Sequence, residues 1–208
     1  MSGQIALPLR GGPGSGPSRI VVGNANAHVF EALAAPESWP FRTAVLAGPP
    51  RSGKSLIAQW FNRQAPRGIG GEAIDSADTI DETELFHRWN RAQESGTPLL
   101  IVSDAEHWEI ALPDLKSRLG AALQLEISQP DDEMAGNLIL AIAEEYGLAL
   151  GDGATGYLVP RCIRSFQGIE QLVATIDRLS MERKQPATLS IWRDALEAIS
   201  GSEQPRLL

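Results

Sequence analysis

The eight residues GPPRSGKS, from Gly48 to Ser55, constrain this chain more than any other segment. They follow the apolar run TAVLAG, residues 43 to 48, and precede SLIAQWFNRQ, in which apolar residues recur with a helical period. A glycine-rich loop between a strand and a helix directs successive backbone N–H groups at phosphate oxygens. The segment therefore predicts a phosphate-binding P-loop and a bound nucleoside di- or triphosphate.

Two residues of this loop have separable expected roles. Lys54 should reach the terminal phosphates, and Ser55 should offer its hydroxyl to a phosphate-bound Mg²⁺. The predicted nucleotide-binding residues of the loop are Gly48, Pro49, Pro50, Arg51, Ser52, Gly53, Lys54, Ser55 and Leu56.

Hydrolysis in such folds requires acids that bind the metal and orient the attacking water, usually a pair at a strand end. In GEAIDSAD, Asp75 is the candidate Mg²⁺-side acid, but Ser76 stands where a second acid is expected and Asp78 is a weaker substitute. Two interpretations of Asp75 stay open, a metal-side acid and an ordinary strand-end residue. The short spacer from Arg63 to Glu72 predicts that a strand and helix common in larger P-loop domains are absent.

The order of periodic segments predicts an α/β protein with a parallel sheet flanked by helices. A helix at about 81–95 separates the strand at 43–48 from LLIVSD at 99–104. A helix whose first turn could be capped by Asn24 is expected after Arg19. Beyond Pro130, helices at about 131–146, 154–164, 166–182 and 188–199 predict a small all-helical lid. The expected domains are a flexible tail and linker at 1–18, a nucleotide-binding domain at 19–130 and the lid at 131–208.

Composition excludes several classes of function. Acidic residues outnumber basic ones 26 to 18, giving a net charge of -8, which disfavours strong direct DNA binding. A single cysteine, Cys162, rules out an internal disulfide. Because no secretory signal and no apolar run of about 20 residues is present, we expect a cytoplasmic protein without a membrane anchor.

Two further segments are candidates for interaction. QIALPL, residues 4 to 9, alternates apolar residues before a Gly/Pro/Ser tether, which suits a docking peptide or an idle terminus equally. ALPDLKSRL, residues 111 to 119, places Arg118 late in a short helix. Arg118 is either a structural or solvated arginine or one that reaches a neighbour's phosphates.

Together, these segments in this order resemble the Hda family, which is related to the bacterial replication initiator DnaA within the AAA+ proteins. QIALPL looks like that family's sliding-clamp motif, with Gln4, Leu7 and Leu9 as anchors. VVGNANA is similar to the adenine-side segment, which adds Val22, Gly23 and Asn24 to the nucleotide-binding residues. LLIVSD resembles the sensor 1 strand ending at Ser103 and Asp104, and the box around Arg118 resembles the one carrying the family's arginine finger.

The resemblance implies a regulator that docks on the sliding clamp (the β subunit of DNA polymerase III) and promotes hydrolysis of ATP on DnaA through Arg118. It implies ADP or ATP with Mg²⁺ held by Ser55 and Asp75, and a chain without the initiator's DNA-binding domain. Glu170 stands where the family has its sensor 2 arginine, with Arg161 or Arg164 as substitutes, so weak or no ATPase activity is expected.

Other readings stay open beside this one. The chain could be an autonomous P-loop ATPase or phosphotransferase, or an interaction module with a vestigial pocket, and a homodimer is an open alternative. If Arg118 is a finger, its replacement by alanine should leave folding unchanged.

Overall fold

The computed structural model describes residues 6–8, 19–65, 70–105 and 108–202. The chain divides into two compact units. One runs from Ala25 to Ser128, and the other joins the residues before Ala25 to those from Gln129 onward. We call them the α/β unit and the helical unit. The grouping of the residues before Ala25 with the helical unit is a feature that the sequence pattern did not predict.

The strands and helices follow one another in a simple order. They are β1 (Ala6–Pro8), β2 (Arg19–Val21), α1 (Ala27–Leu33), β3 (Thr43–Ala47), α2 (Lys54–Gln64), β4 (Glu72–Ile74), α3 (Glu82–Ser95), β5 (Leu99–Val102), α4 (Pro113–Gly120), β6 (Leu123–Glu126), α5 (Asp132–Glu145), α6 (Ala154–Leu158), α7 (Phe166–Arg183) and α8 (Leu189–Ser202).

The α/β unit contains a parallel four-stranded sheet in the order β4-β5-β3-β6. All four residues of β5 are buried, as are the first four of β3, because helices cover both faces of a parallel sheet. The predicted α/β fold with a parallel sheet is confirmed. β6 was not predicted; its residues LQLE alternate apolar and polar side chains, the period-2 signal of an edge strand.

Two groups of apolar side chains fix the helices around this sheet. Leu85 and Trp89 of α3 and Leu115 of α4 belong to one buried cluster with Ile101 of β5. Phe61 of α2 is fully buried and stacks on Trp39, with ring centroids 5.5 Å apart and an interplanar angle of 23°. These contacts hold α3 and α4 against the sheet and fix the last turn of α2 beside Trp39.

The helical unit has its own core. The helices predicted at 131–146, 166–182 and 188–199 are confirmed as α5, α7 and α8. The helix predicted at 154–164 is shorter: α6 ends at Leu158, and a 3-10 turn follows at Val159–Arg161. Pro160 explains the change, because it lacks the backbone N–H that an α-helix requires. The core of the unit includes Ile139, Leu158, Ile169, Ile176 and Ile191.

The predicted capping role of Asn24 is wrong. Helix α1 begins after Asn26, whose side chain makes no capping hydrogen bond. The Asn24 side-chain oxygen instead accepts a hydrogen bond of 3.2 Å from the backbone N–H of Asp131. Asn24 therefore joins the chain before α1 to the start of α5, a long-range contact that local periodicity could not reveal.

Part of the predicted N-terminal tail is described as a strand. Ala6–Pro8 pairs antiparallel with Arg19–Val21, with Leu7 opposite Ile20 and Pro8 opposite Arg19. Pro8 is compatible with this pairing because β1 is an edge strand of a two-stranded sheet, where proline is tolerated. Two of the predicted clamp anchors, Gln4 and Leu9, lie outside the described residues. In the described part of the chain no helix is both long and apolar enough to cross a bilayer.

Candidate nucleotide-binding site

The loop from Gly48 to Gly53 joins β3 to α2, so the predicted strand, loop and helix are present. Glycine is needed at both ends of the loop. A Cβ on Gly48 would lie 2.8 Å from the Cβ of Ile127, and Gly53 has φ +89° immediately before α2. The backbone N–H of Ser52 donates to the Pro49 carbonyl at 3.3 Å, which makes the loop a tight turn.

Lys54, the first residue of α2, lies at the base of this loop and is 4% exposed. Its ammonium donates to the carbonyls of Gly48 at 2.9 Å and Pro49 at 3.1 Å. It also pairs with the carboxylate of Asp104 at 3.1 Å. Since an ammonium has three donors, these contacts use all of them. A phosphate that approaches Lys54 therefore competes with Asp104 and the two carbonyls.

Acidic residues meet Lys54 at the carboxyl edge of the sheet. Asp75, Ser76 and Asp78 follow β4, and Asp104 follows β5, the neighbouring parallel strand. The Ser76 hydroxyl donates to Asp104 Oδ2 at 3.0 Å, and Asp104 N–H donates to Asp78 Oδ1 at 2.8 Å. Asp75 is exposed and accepts from Ser76 N–H at 3.1 Å. The structure thus brings the predicted Asp75, Asp104 and Lys54 into one neighbourhood and adds Asp78 and Ser76 as partners of Asp104.

Ser103, the other predicted sensor residue, is buried and hydrogen-bonded to its surroundings. It is 3% exposed, and its backbone N–H donates to the Leu46 carbonyl at 3.1 Å. Its hydroxyl accepts from the Ala105 N–H at 3.2 Å. These contacts hold the end of β5 against β3 and so position Asp104 beside Lys54.

The loop suits a phosphate group. Among the described residues, the Ser52 hydroxyl is buried without a hydrogen-bond partner. A buried hydroxyl requires a partner, and a phosphate oxygen is a strong acceptor. Pro50 and Arg51 are exposed on the same loop, whereas Pro49 and Leu56 are half-buried.

The fit to Mg²⁺ rests on Ser55 and Asp75. In the described ranges, no group of three or more His, Cys, Asp or Glu residues could hold a metal by itself. That agrees with the usual arrangement at nucleotide sites, where one or two protein groups and the phosphates share the ion. Ser55, half-buried in the first turn of α2, would supply a hydroxyl, and Asp75 would supply a carboxylate.

Residues predicted from the adenine-side and sensor 2 segments belong to the helical unit. Val22 and Gly23 are half-buried, and a Cβ on Gly23 would lie 3.0 Å from Met134 Cγ. Glu170 is half-buried on α7.

The two arginines considered as sensor 2 substitutes are engaged inside that unit. Arg161 lies 4.3 Å from the centroid of the Tyr157 ring and donates to the Tyr157 carbonyl at 2.9 Å. Arg164 pairs with Asp132 at 2.7 Å.

Arg118 lies in the last turn of α4 and packs on α3. Its guanidinium carbon is 4.5 Å from the ring centroid of Phe86 and 4.3 Å from that of Trp89. It also donates to the Asn90 side-chain oxygen at 2.5 Å. Because these contacts join α3 to α4, we now expect alanine at 118 to lower the stability of the α/β unit, whereas the sequence alone predicted unchanged folding. We call the contacts of Arg118 with Phe86, Trp89 and Asn90 its seat on α3. The spacing of these three residues on one helix face could have indicated this binding position for an arginine.

Comparisons with solved structures give the fold a wider context. Domain III of the replication initiation protein DnaA from Thermotoga maritima has a TM-score of 0.63 and 16% identity, covering 85% of this chain and 93% of that one. DnaA from Aquifex aeolicus bound to AMPPCP has a TM-score of 0.58 and 18% identity. The match covers 78% of this chain and 66% of that one, so this chain spans about two thirds of the length of that structure.

A third similar structure is that of an AAA domain with a bound nucleotide. The FIGL-1 AAA domain in complex with ADP has a TM-score of 0.60 and 12% identity, covering 89% of this chain and 84% of that one. No protein-family model matches the sequence. At these identities the likeness concerns the fold, and the chain has the α/β P-loop fold of AAA+ proteins.

Proposed function

We propose that this protein is a nucleotide-binding regulator of chromosomal replication initiation, which docks on the sliding clamp and promotes hydrolysis of ATP held by DnaA. The observation that carries the nucleotide-holding part is the buried Lys54 at the base of the loop, beside an acid cluster in which a serine follows Asp75. The similar fold of DnaA domain III and the resemblance of the tail and the Arg118 box support the regulatory part.

The arrangement around Ser76 favours holding a nucleotide over hydrolysing it. A hydroxyl that already donates to Asp104 at 3.0 Å is a poor general base for an attacking water. The neighbouring carboxylate of Asp104 is engaged with Lys54. Nucleotide in this site would therefore persist, and its expected role is to order the protein for its partners.

Arg118 is the residue through which the protein would act on the nucleotide of DnaA. A supplied arginine stabilises the charge that develops during phosphoryl transfer and accelerates it by about 10³ to 10⁵. To reach a partner's phosphates, the side chain must leave Phe86, Trp89 and Asn90. Its charge-assisted contacts with phosphate would have to offset the loss of that seat.

A reconstituted assay tests the role of Arg118. ATP-bound DnaA, DNA-loaded clamp and this protein are mixed, and release of inorganic phosphate from DnaA is measured. Arg118→Ala should lose the stimulation, whereas Asn90→Ala, which frees the arginine without removing it, should keep or increase it. Equal stimulation by the Arg118→Ala variant, confirmed to be folded, would show that another residue acts.

Clamp docking has a separate test. Purified clamp is used to retain the intact chain and the Gln4→Ala variant. Retention of the intact chain and loss in the variant are the expected results. If neither binds, docking through QIALPL is wrong. This result would not affect the nucleotide-holding part of the proposal, which nucleotide binding tests separately.

An autonomous ATPase is the second candidate. It is favoured by one observation, namely that the Asp104 carboxylate lies within 3.0 Å of the Ser76 hydroxyl, close to where a second acid would act. This candidate predicts sustained phosphate release by the isolated protein with Mg-ATP, with loss in Asp75→Asn. Turnover that appears only when DnaA is added rules it out.

A further inference from the structure

Asn62 joins helix α2 to the edge strand β4. Its side-chain oxygen accepts a hydrogen bond of 2.7 Å from the backbone N–H of Ala73, and its amide N–H donates to the Ala73 carbonyl at 3.4 Å. β4 pairs with β5 on one side and forms an edge of the described sheet. The amide of Asn62 thus offers Ala73 the acceptor and the donor that a further strand would supply.

The position of Asn62 on α2 connects this contact to the phosphate loop. Asn62 follows Ser55 by seven residues, which is two helical turns, so both side chains lie on the same face of α2. On the strand, Ala73 precedes Asp75 by two residues. From the contact between Asn62 and Ala73, about 10 Å of helix leads to Ser55 and about 7 Å of extended chain leads to Asp75. The contact therefore limits how far β4 can slide along α2, and with it the placement of Asp75 relative to Ser55.

This placement matters because Ser55 and Asp75 are the candidate protein ligands of Mg²⁺. The ion demands near-ideal octahedral geometry at about 2.0–2.1 Å, so a small shift of a carboxylate weakens its binding. Asp75 is exposed and accepts a hydrogen bond of 3.1 Å from the N–H of the next residue, Ser76. That bond is local and moves with Asp75, whereas the bond between Ala73 and Asn62 ties the strand to α2.

We infer that Asn62 is a positioning residue, which holds β4 so that Asp75 can share a phosphate-bound Mg²⁺ with Ser55. This role rests on the proposed nucleotide-holding function and on the metal-side role of Asp75. Asn62 acts through the backbone of Ala73. Hydrogen-bonding partners behind a metal ligand typically contribute about 10- to 100-fold in metal affinity. Because Ala73 lies two residues from the ligand, we expect the lower end of that range.

Calorimetry of nucleotide binding tests this role. ADP and a non-hydrolysable ATP analogue are titrated into the intact chain with Mg²⁺ and with EDTA, and the ratio of the two dissociation constants gives the contribution of the metal. Asn62→Ala should lower that ratio about tenfold and leave binding in EDTA within about twofold of the original. Asn62→Asp, which keeps the oxygen that accepts from Ala73, should retain most of the ratio. Gln59→Ala, at another exposed residue of α2, is the matched control and should change neither value.

A double-mutant cycle shows whether Asn62 acts through Asp75. In the Asp75→Asn background, Asn62→Ala should change the metal contribution little, because the carboxylate that it positions is gone. Hydrogen exchange gives a second readout that needs no nucleotide. The Ala73 amide should exchange faster in Asn62→Ala than in the original protein, and at the original rate in Gln59→Ala.

Several results would overturn this role. They are an unchanged metal contribution in Asn62→Ala, equal weakening of binding with Mg²⁺ and with EDTA, an equally large effect in the Asp75→Asn background, and an unchanged exchange rate of the Ala73 amide. Equal binding of the original protein with and without Mg²⁺ would also overturn it and leave the nucleotide-holding function standing. Failure of the original protein to bind either nucleotide would refute the nucleotide-holding function itself, and the role of Asn62 with it.

Discussion

Replacing Arg118 with alanine should destabilise the α/β unit, and the structure allows the size of the effect to be worked out. The guanidinium lies 4.5 and 4.3 Å from two aromatic ring centroids and donates one hydrogen bond to Asn90. Each cation–π contact of a half-buried arginine contributes about 0.5–1 kcal/mol. The hydrogen bond from a charged donor adds about 1.5 kcal/mol, and the partial desolvation of the arginine opposes these terms. We therefore expect a loss of about 2 kcal/mol in the free energy of unfolding.

Urea unfolding followed by tryptophan fluorescence measures this loss, because Trp89 lies against the arginine. A matched control is Arg88→Ala, which removes an arginine that pairs with Glu84 one turn earlier on the same helix, α3. An exposed pair of this kind contributes about 0.3–0.5 kcal/mol.

A double-mutant cycle tests the physical reason for the loss. Phe86→Leu keeps an apolar side chain of similar volume and removes the aromatic face. Combined with Arg118→Ala, it should show a coupling of about 0.5–1 kcal/mol. Equal effects of Arg118→Ala and Arg88→Ala, together with zero coupling, would refute the assignment of Arg118 to a cation–π seat on α3.

Three further predictions follow from the described contacts. Gly48→Ala should destabilise the α/β unit by about 1–3 kcal/mol, since the added Cβ would lie 2.8 Å from Ile127 Cβ, and a thermal melt without a shift would contradict it. Asp81→Ala should lower the free energy of unfolding by about 1 kcal/mol, because Asp81 Oδ1 caps the start of α3. It accepts hydrogen bonds from the N–H groups of Thr83 at 3.0 Å and Glu84 at 3.1 Å. Asp81→Asn, which keeps a capping side chain, is the control in the same urea unfolding measurement. Burial raises the pKa of the Cys162 thiol above its ordinary value, so iodoacetamide should label it more slowly in the folded than in the unfolded protein at pH 8. As pH rises, the thiol loses its proton first in the unfolded protein. The contribution of Cys162 to stability is therefore present below the ordinary thiol pKa and is lost as pH rises through the raised pKa of the folded protein. Urea unfolding at several pH values measures this loss.

Local patterns were sufficient for much of the fold. The apolar run before GPPRSGKS and the helical period after it predicted β3 and α2, and the amphipathic segments beyond Pro130 predicted the helices of the second unit. β6 was missed because LQLE is short and half polar, as edge strands are. The end of α6 was misplaced, since the effect of Pro160 on a helix boundary depends on the residues around it.

Contacts between distant residues were not predictable in the same way. Asn24 has the sequence of a helix cap but accepts from the N–H of Asp131, 107 positions away. The seat of Arg118 on Phe86, Trp89 and Asn90 likewise joins segments about 30 positions apart, and the chain between them forms β5. Which polar residues meet in this way depends on which helix and sheet surfaces pack together. The spacing of apolar residues indicates the packed surfaces but says little about the polar groups at the edges of those surfaces.

The sequence by itself determined that the chain carries a phosphate-binding loop between a strand and a helix, because the glycine pattern and the flanking periods act over a few residues. Only the tertiary structure decided which charged side chains surround that loop. Parallel pairing of β4, β5 and β3 brings Asp75, Asp78 and Asp104 to the edge where Lys54 lies. Pairing of Lys54 with Asp104, and the left-handed backbone of Arg51 beside it, arise from the meeting of strand ends and loop, which no local pattern encodes.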